Sequence, residues 1–596
     1  MRKLSSLLLI TLTLLFVVTS CSDKDDPIID KDKGVLIRAT FDPSTKTFTL
    51  KYSKGATETV DATIDNSVTP PTATATLKDG TIISMKDATK DGEATIGPIP
   101  PKPDDKSILL ISQFVYDGLS SYYLWSNEML DKKPTVNDTD PVKYFKSVLY
   151  KTDTDNGWSW ITDDAKGLVA DFAGEPKSFG YSLSFLQINN AIYAFVKYVY
   201  ANTPASNAGL QRLDLIGKLN GNPITTETGS NYINQRDIEI LYGSNTATFT
   251  TYKLTDQGIV QDKEIQITPA TIKTDPVLFD KVYTIGNKKI GYLFYTSYIS
   301  NYNDRLFEVF SNFKNEGVTE LVLDLRYNPG GAISAASYLV SLFAPETSVK
   351  EKDVLTTLSY NQFLNDYFGS DRNTTLGTYQ ENDEYDKEGK LLRKAAPNPL
   401  AANLNLNKVY IIATEGSASA SELTTFCSRP IMGESNVIHI GGRTSGKYTG
   451  SWTIHPYDRD IGQPIYDESK SSVKDKKTFE NWAMQPIVAI YTDKNGKNFI
   501  NPGYLEPDFP LKEGFGYIDY WKPLGDTEDV LLGQALYLIT GDESYKPIEP
   551  VSTRSNQEEM IKVATRSDEA KPVLIDNVKL PPENFKEITR MRNIEN

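Results

Sequence analysis

VYIIATEGSASASEL, residues 409–423, reads as a buried strand that passes through a turn of small residues into a helix. Val409 to Ala413 supply the strand, Gly416 to Ala418 the turn, and the helix follows Ser419. A serine at a helix N-terminus is commonly a cap, and Ser419 with Glu422 three residues on fits a capping box. The same arrangement suits a nucleophile. Small neighbours leave access, and the helix dipole favours a developing negative charge.

Two further turns surround this stretch in sequence. LDLRYNPGG (323–331) ends an apolar strand in a Pro-Gly-Gly turn. Glycines there let backbone N–H groups face a cavity, which is what an oxyanion hole requires. IHIGGRTSGK (438–447) is a strand, a Gly-rich turn and a lysine. A lysine held in a dry turn loses its charge more easily, and a neutral amine can take the proton of a serine hydroxyl. Around them, residues 287–540 alternate strands (Lys289–Phe294, Glu320–Leu325) with helices (Asn303–Phe313, Ala335–Phe343), an α/β layer pattern.

Upstream, YANTPASNAGL (200–210), LDLI (213–216) and LNG (219–221) read as a short helix between two strands, followed by an Asn-Gly hairpin. This run resembles the PDZ domain of bacterial peptidases at Pro204, Ala208, Gly209, Leu210, Asp214, Asn220 and Gly221, with Leu213 where a glycine is usual. The resemblance implies that Phe179, Gly180, Tyr181 and Ser182 hold a peptide carboxylate on backbone N–H groups. It also implies that an extended peptide, chiefly a C-terminal tail, adds as an edge strand.

DLRYNPGG (324–331), GSASASEL (416–423), GGRTSGK (441–447), NPGYLEPD (501–508) and LGDTEDVLLGQALYLI (524–539) stand in order behind that segment. IGYLFYTSY (290–298) opens the same region. Together they resemble the C-terminal processing, or tail-specific, serine peptidase family over roughly residues 105–540. The resemblance implies Ser419 as nucleophile and Lys447 as general base. The implied oxyanion donors are the backbone N–H groups of Ala420 and of Gly330 or Gly331. Ser417 and Ser421 compete with Ser419 for the nucleophile's place.

The sequence departs from the family at three points. The 28 residues from Ser419 to Lys447 exceed the usual interval. Pro430 stands where some members carry an acid, and Lys447-Tyr-Thr-Gly-Ser lacks the usual glutamine. The third catalytic partner is therefore unassigned, with Glu434 a candidate. Only His439 and His455 could serve a Ser-His triad, and His439 reads as a core residue among Val437, Ile438 and Ile440.

The first residues are a targeting segment. Arg2 and Lys3 precede an apolar run from Leu4 to Val18, too short to span a bilayer, which takes roughly 20 residues. VTSC (18–21) resembles a lipobox, so Cys21 is expected to be acylated and to anchor the chain. Ser22, Asp23, Lys24, Asp25 and Asp26 resemble the export tag of surface lipoproteins of the outer membrane. With Cys21 acylated, Cys427 is left alone, so no internal disulfide forms, and it reads as a small core residue. The net charge of −15, without a basic patch, argues against nucleic acid. No metal-ligand spacing or phosphate loop is present, and no cofactor is expected.

The expected fold is a multidomain α/β chain. Residues 1–20 are a signal peptide and 21–33 a tether. An all-β module over 34–100 follows, then a helical segment over 104–175 and a PDZ-like domain over 176–270. A crotonase-like β/α spiral peptidase core spans 271–545, with a polar tail over 546–596. The expected function is a serine endopeptidase of the cell envelope acting on proteins or peptides with exposed C-terminal tails. The alternative is a non-catalytic surface lipoprotein that binds peptides or glycans.

Overall fold

The computed structural model describes residues 36–548 together with 561–563 and 573–574; within the first range it omits 53, 67–69, 78–81, 97–104, 189, 244, 256–257, 386–388, 390, 458–461 and 514–520. The expected signal peptide, Cys21 and its tether lie outside the described residues. Among the described residues no helix is long and apolar enough to cross a membrane.

The chain divides into two units, residues 1–108 and 109–596. The first holds two antiparallel sheets. In one, strands run in the order Thr57–Asp61, Thr47–Tyr52, Leu36–Asp42, Gly92–Glu93; in the other, Thr63–Asp65, Thr72–Thr76, Ile82–Met85, Thr95–Ile96. Alternate residues of these strands point inward, as the period of two requires, so Ala39, Phe41, Phe48, Leu50, Ala73 and Ile83 form one apolar core.

Helix α1 (Asp105–Tyr122), most of which lies in the second unit, is followed there by α2 (Pro141–Val148) and α3 (Lys151–Asn156). Ile111, Phe114, Val115, Leu119 and Tyr122 fall on one face of α1 at helical spacing and are buried. That face packs into the same core as the later α/β region: the Tyr122 ring meets Trp452 edge-on at 5.5 Å, and Phe114 meets Phe479 at 6.1 Å. The helical segment and the 271–545 region therefore share one core rather than standing as separate bodies.

Residues 176–271 form an inserted domain, entered and left through a clasp that pairs Lys177 with Thr271 and Ser178 with Ala270. Its main strands are β1 (Tyr181–Ile188), β2 (Ala191–Val199), β3 (Leu215–Leu219), β4 (Ala247–Thr255) and β5 (Gly258–Ile267), with helix α4 (Gln235–Tyr242). The sheet runs β5-β4-β3-β2-β1, each pair antiparallel. The short helix expected after Tyr200 is Pro204–Asn207, capped by Thr203. The Asn220-Gly221 turn joins Leu219 to Asn222 as a hairpin.

The α/β region is built on β6 (Val277–Ile285), β7 (Lys288–Tyr295), α5 (Asn303–Glu316), β8 (Glu320–Asp324), α6 (Ile333–Phe343), β9 (Val354–Tyr360), β10 (Val409–Ala413), α7 (Ala420–Cys427), β11 (Val437–Gly441), β12 (Thr449–Ser451), β13 (Ile487–Asp493), β14 (Phe509–Pro510) and α8 (Val530–Thr540). One sheet runs β6-β7-β8-β10-β11-β14, parallel from β7 onward. Strands covered on both faces lose the polar alternation, and every residue of β10 is buried. Helix α6, apolar but for three serines, is likewise buried at every residue except Ser334. In a second sheet β9, β13 and β12 lie side by side.

Candidate active site

Strands β8, β10 and β11 are neighbours and parallel, so their carboxyl ends lie together. The three turns singled out in the sequence are the three that leave those ends. Each turn is fastened to the next through backbone groups. The Ser417 hydroxyl donates to the Leu325 carbonyl at 2.7 Å, the Ala418 N–H to the Asn328 carbonyl at 3.1 Å, and the Ser445 N–H to the Ser417 carbonyl at 3.0 Å.

Ser419 occupies the last residue before α7 with φ +62° and ψ −114°, a conformation that side chains other than glycine's rarely adopt. Such a turn persists only where its surroundings hold it. Ser419 is fully buried, and its hydroxyl has no hydrogen-bond partner. Its two competitors differ in that respect. The Ser417 hydroxyl is committed to Leu325, and that of Ser421 donates to the Asn328 carbonyl at 2.9 Å. Buried hydroxyls are almost always satisfied, so an orphan in a strained turn calls for a functional explanation.

Gly330 packs directly against this turn. A Cβ placed on it would sit 2.7 Å from the Ser419 Cβ and 3.0 Å from the Ala420 nitrogen, and its φ is +105°. Gly331, at φ +139°, would place a Cβ 2.2 Å from the Tyr298 carbonyl oxygen. Both positions demand glycine. The Gly330 N–H donates to the Asn328 side-chain oxygen at 2.9 Å. The Asn328 amide nitrogen in turn donates to the Tyr295 carbonyl at 2.9 Å. As it stands, this turn has the Gly330 N–H occupied.

Lys447 is fully buried at the end of the β11 turn. Glu422, also fully buried, joins it to Ser419. Its Oε2 accepts the N–H of Ser419 and the N–H of Lys447, both at 2.8 Å. Its Oε1 accepts the Gly446 N–H at 2.7 Å and the Thr444 hydroxyl at 2.5 Å. Burial pushes the Glu422 pKa up, and these four donors oppose that shift. The Tyr491 hydroxyl, 3.2 Å from the Ser419 carbonyl and 3.0 Å from that of Lys447, ties the same two residues from β13.

The helical segment reaches this site. Asp153, fully buried, accepts from the Tyr123 hydroxyl at 2.8 Å and from the N–H and hydroxyl of Ser159 at 2.8 and 2.5 Å. Burial raises its pKa, while those bonds and the positive charge of Lys447 pull it down. Trp158 meets Tyr448, the residue after Lys447, edge-on at 5.3 Å.

The remaining candidates fall elsewhere. The Glu434 carboxylate is largely exposed and paired with Arg429 at 3.0 Å. His439 is buried, with each ring nitrogen 3.2 Å from a backbone carbonyl, of Glu506 and of Ala413, and burial lowers its pKa. His455 is buried in a different strand, Ile454–His455. Cys427 is buried and unbridged. Phe179 to Ser182 open the inserted domain's β1: the Gly180 N–H donates to the Ser178 hydroxyl, and Tyr181 is buried with its hydroxyl on the Leu241 carbonyl.

A buried ion cluster adjoins the turn at Arg326 to Gly331. Arg326, fully buried, is held by Asp324 at 2.6 Å, Glu513 at 2.6 Å and Asp529 at 2.8 Å. Arg212, from the inserted domain, bonds the same Glu513 at 2.8 Å and the Tyr327 hydroxyl at 2.9 Å. The motif residues Asp324, Arg326 and Asp529 could have been marked as a buried ionic set. Arg212 and Glu513 carry no such signal in the sequence.

Residues 289–511 match the family model of peptidase family S41, and residues 111–160 match that of the peptidase S41 N-terminal domain. A CtpA-like serine protease of Staphylococcus haemolyticus is 26% identical over 45% of this chain and 44% of its own length. One from Staphylococcus epidermidis is 24% identical over 49% and 50% respectively. The chain thus spans about half the length of these relatives. A solved structure from Bacteroides fragilis named as an S41 protease aligns at a TM-score of 0.52 and 24% identity, covering 72% of this chain and 97% of that one, a likeness of fold. The chain is thus similar to peptidase family S41 over residues 289–511 and to that family's N-terminal domain over 111–160.

Proposed function

We propose that the chain is a serine endopeptidase that cuts proteins or peptides through an acyl-enzyme, with Ser419 as nucleophile and Lys447 as general base. The observation that carries this reading is the state of the three serines. Ser417 and Ser421 spend their hydroxyls on backbone carbonyls; Ser419 alone keeps a free one, in a strained turn tied through Glu422 to Lys447.

The Ser419 oxygen attacks the scissile carbonyl carbon as its proton passes to the Lys447 amine. Lys447 is fully buried at the end of the turn that follows β11. The oxyanion that forms is met by the Ala420 N–H and by the N–H of Gly331, or of Gly330 once Asn328 releases it. Collapse breaks the carbon–nitrogen bond, and the leaving amine takes the proton back from Lys447. Water then hydrolyses the Ser419 ester: Lys447 takes its proton and hands it to the Ser419 oxygen as the carbon–oxygen bond breaks.

Residues 176–270 serve as the PDZ-like domain of this reading. Support comes from the antiparallel sheet, the capped Pro204–Asn207 helix, and the Gly180 turn, at φ +94°, leading into β1. The parallel β7-β8-β10-β11-β14 run with its helices supports the β/α spiral. The lipid on Cys21 and an outer-membrane address complete the proposal, on the residues quoted above.

The test is cleavage of an unstructured protein with an apolar C-terminal tail by the soluble chain (22–596). The parent should cut it, while Ser419→Ala and Lys447→Ala should bind but not cut. Binding without cleavage by the parent as well would favour the non-catalytic lipoprotein.

A further inference from the structure

Strand β1 has two edges, and β2 takes one of them. The other is taken by the chain's own late residues. Strand β15 (Ile561–Val563) pairs antiparallel with it, Ile561 opposite Gln187, Lys562 opposite Leu186 and Val563 opposite Phe185. The direction is informative. Residue 561 faces the far end of β1 and 563 lies nearer Gly180, so β15 runs toward the turn at Phe179 and Gly180. A peptide whose carboxyl group sits in that turn must run the same way along the same edge.

The next described strand lies beside the proposed catalytic residues. Strand β16 (Val573–Leu574) pairs parallel with β12, Val573 opposite Gly450 and Leu574 opposite Ser451. β12 begins two residues after Lys447, and its other edge is taken by β13. Two strands of one polar tail therefore cover an edge of each sheet that an extended substrate would use. Covering an edge can serve solubility alone. The polarity of β15 and the position of β16 fit a ligand better.

We propose that strands Ile561–Val563 and Val573–Leu574 are an internal competitor: they occupy the peptide-recognition edge of the inserted domain and the edge beside Lys447 until a substrate tail displaces them. This rests on the peptide-recognition reading of residues 176–270. The occupant that displaces them is an extended polypeptide, recognised chiefly through main-chain pairing. Three paired residues make a weak ladder, whereas tethering raises its effective concentration into the millimolar range. The contact thus holds at rest and yields to a longer ligand.

The experiment uses the whole soluble chain with the double substitution Ile561→Pro and Lys562→Pro. Successive N–H groups of a strand point to opposite sides, so one of these two removes the donor that faces β1. Amide exchange at Phe185, Leu186 and Gln187 is measured, and binding of a fluorescein-labelled peptide with an apolar C-terminus is followed by anisotropy. The expected result is faster exchange at those of the three amides that face β15 rather than β2, and binding about tenfold tighter or more, as release of a tethered competitor requires. A synthetic peptide of residues 556–578, added in trans, should restore the slow exchange, which separates loss of pairing from misfolding. Unchanged exchange would overturn the pairing. Faster exchange with unchanged peptide affinity would overturn the competition while leaving recognition intact. No peptide binding by either protein would sink the recognition reading, and the competitor role with it, although the exchange data would still report the pairing.

Discussion

Ser419 and Lys447 are held together through a single atom: the Oε2 of Glu422 accepts the backbone N–H of both, at 2.8 Å each. Twenty-eight residues separate them in sequence, yet their spacing is set by a carboxylate three residues beyond the serine. Glu422 touches no reacting atom in the proposed mechanism. It fixes the two backbones from which the reacting atoms project.

Glu422→Ala should therefore abolish peptide cleavage while leaving Ser419 and Lys447 in the chain. It strands three backbone N–H groups, a loss on the order of 3 kcal/mol at roughly 1–3 kcal/mol for each buried donor left without an acceptor. Urea denaturation measures the loss. A variant as stable and as active as the parent would remove Glu422 from this role.

The three serines should separate by opposite effects on stability and activity. Ser421→Ala deletes one buried hydrogen bond and Ser417→Ala two, at about 1 kcal/mol each, while both retain the nucleophile. Ser419→Ala deletes a hydroxyl without a partner, so its midpoint should hold or rise as activity vanishes, the pattern expected where stability is yielded to function. Thermal melts of the three variants beside cleavage assays check this. Loss of cleavage in Ser421→Ala alone would move the nucleophile.

Gly330→Ala should be damaging out of proportion to one methyl group. The position has a φ of +105° and its new Cβ would lie 2.7 Å from that of Ser419. Holding a non-glycine residue there costs about 1–3 kcal/mol before the contact is relieved. The relief moves Ser419 or Ala420, so cleavage should fall by two orders of magnitude or more, at about 1.4 kcal/mol per decade. Initial rates on a fluorogenic peptide read it. Activity close to that of the parent would show that the turn has slack.

Acid should weaken the ion cluster behind this turn. The Arg326 and Arg212 guanidinium groups beside Glu513 overcome its burial and hold its pKa down at about 2, against an ordinary 4.5. A depressed carboxylate pKa stabilises the fold above the unfolded value and loses that contribution as pH falls from about 4.5 toward 2. Glu513→Gln should therefore be less stable than the parent at pH 7, and the gap should narrow across that window. Denaturation midpoints at pH 7, 4 and 3 test this; a constant gap would contradict it.

The arrangement of the candidate site was legible in sequence where chemistry and backbone coincide. Val409 to Ala413 read as a buried strand, and Pro-Gly-Gly as a turn. Their parallel neighbours bring Ser419, Gly330 and Lys447 to one edge of a sheet. Glu422 was visible but read as a helix cap, because a capping box satisfies the same spacing as a bridge to a loop 25 residues later. Asp153, Tyr491 and Arg212 were hidden for a different reason. Each acts across a long interval, from α3, β13 and the inserted domain, and local periodicity carries no register between distant segments. The late strands Ile561–Val563 and Val573–Leu574 sit in a polar stretch whose pairing is through the main chain, so side-chain patterning gave no sign of them.

The most direct measurement is covalent labelling of the soluble chain by a fluorophosphonate, with and without an apolar C-terminal peptide, read by peptide mass spectrometry. Ser419 is fully buried at rest, so labelling should be slow alone and faster with peptide, should fall on Ser419, and should vanish in Ser419→Ala and Lys447→Ala. Labelling on Ser417 or Ser421, or undiminished labelling in Lys447→Ala, would contradict the account.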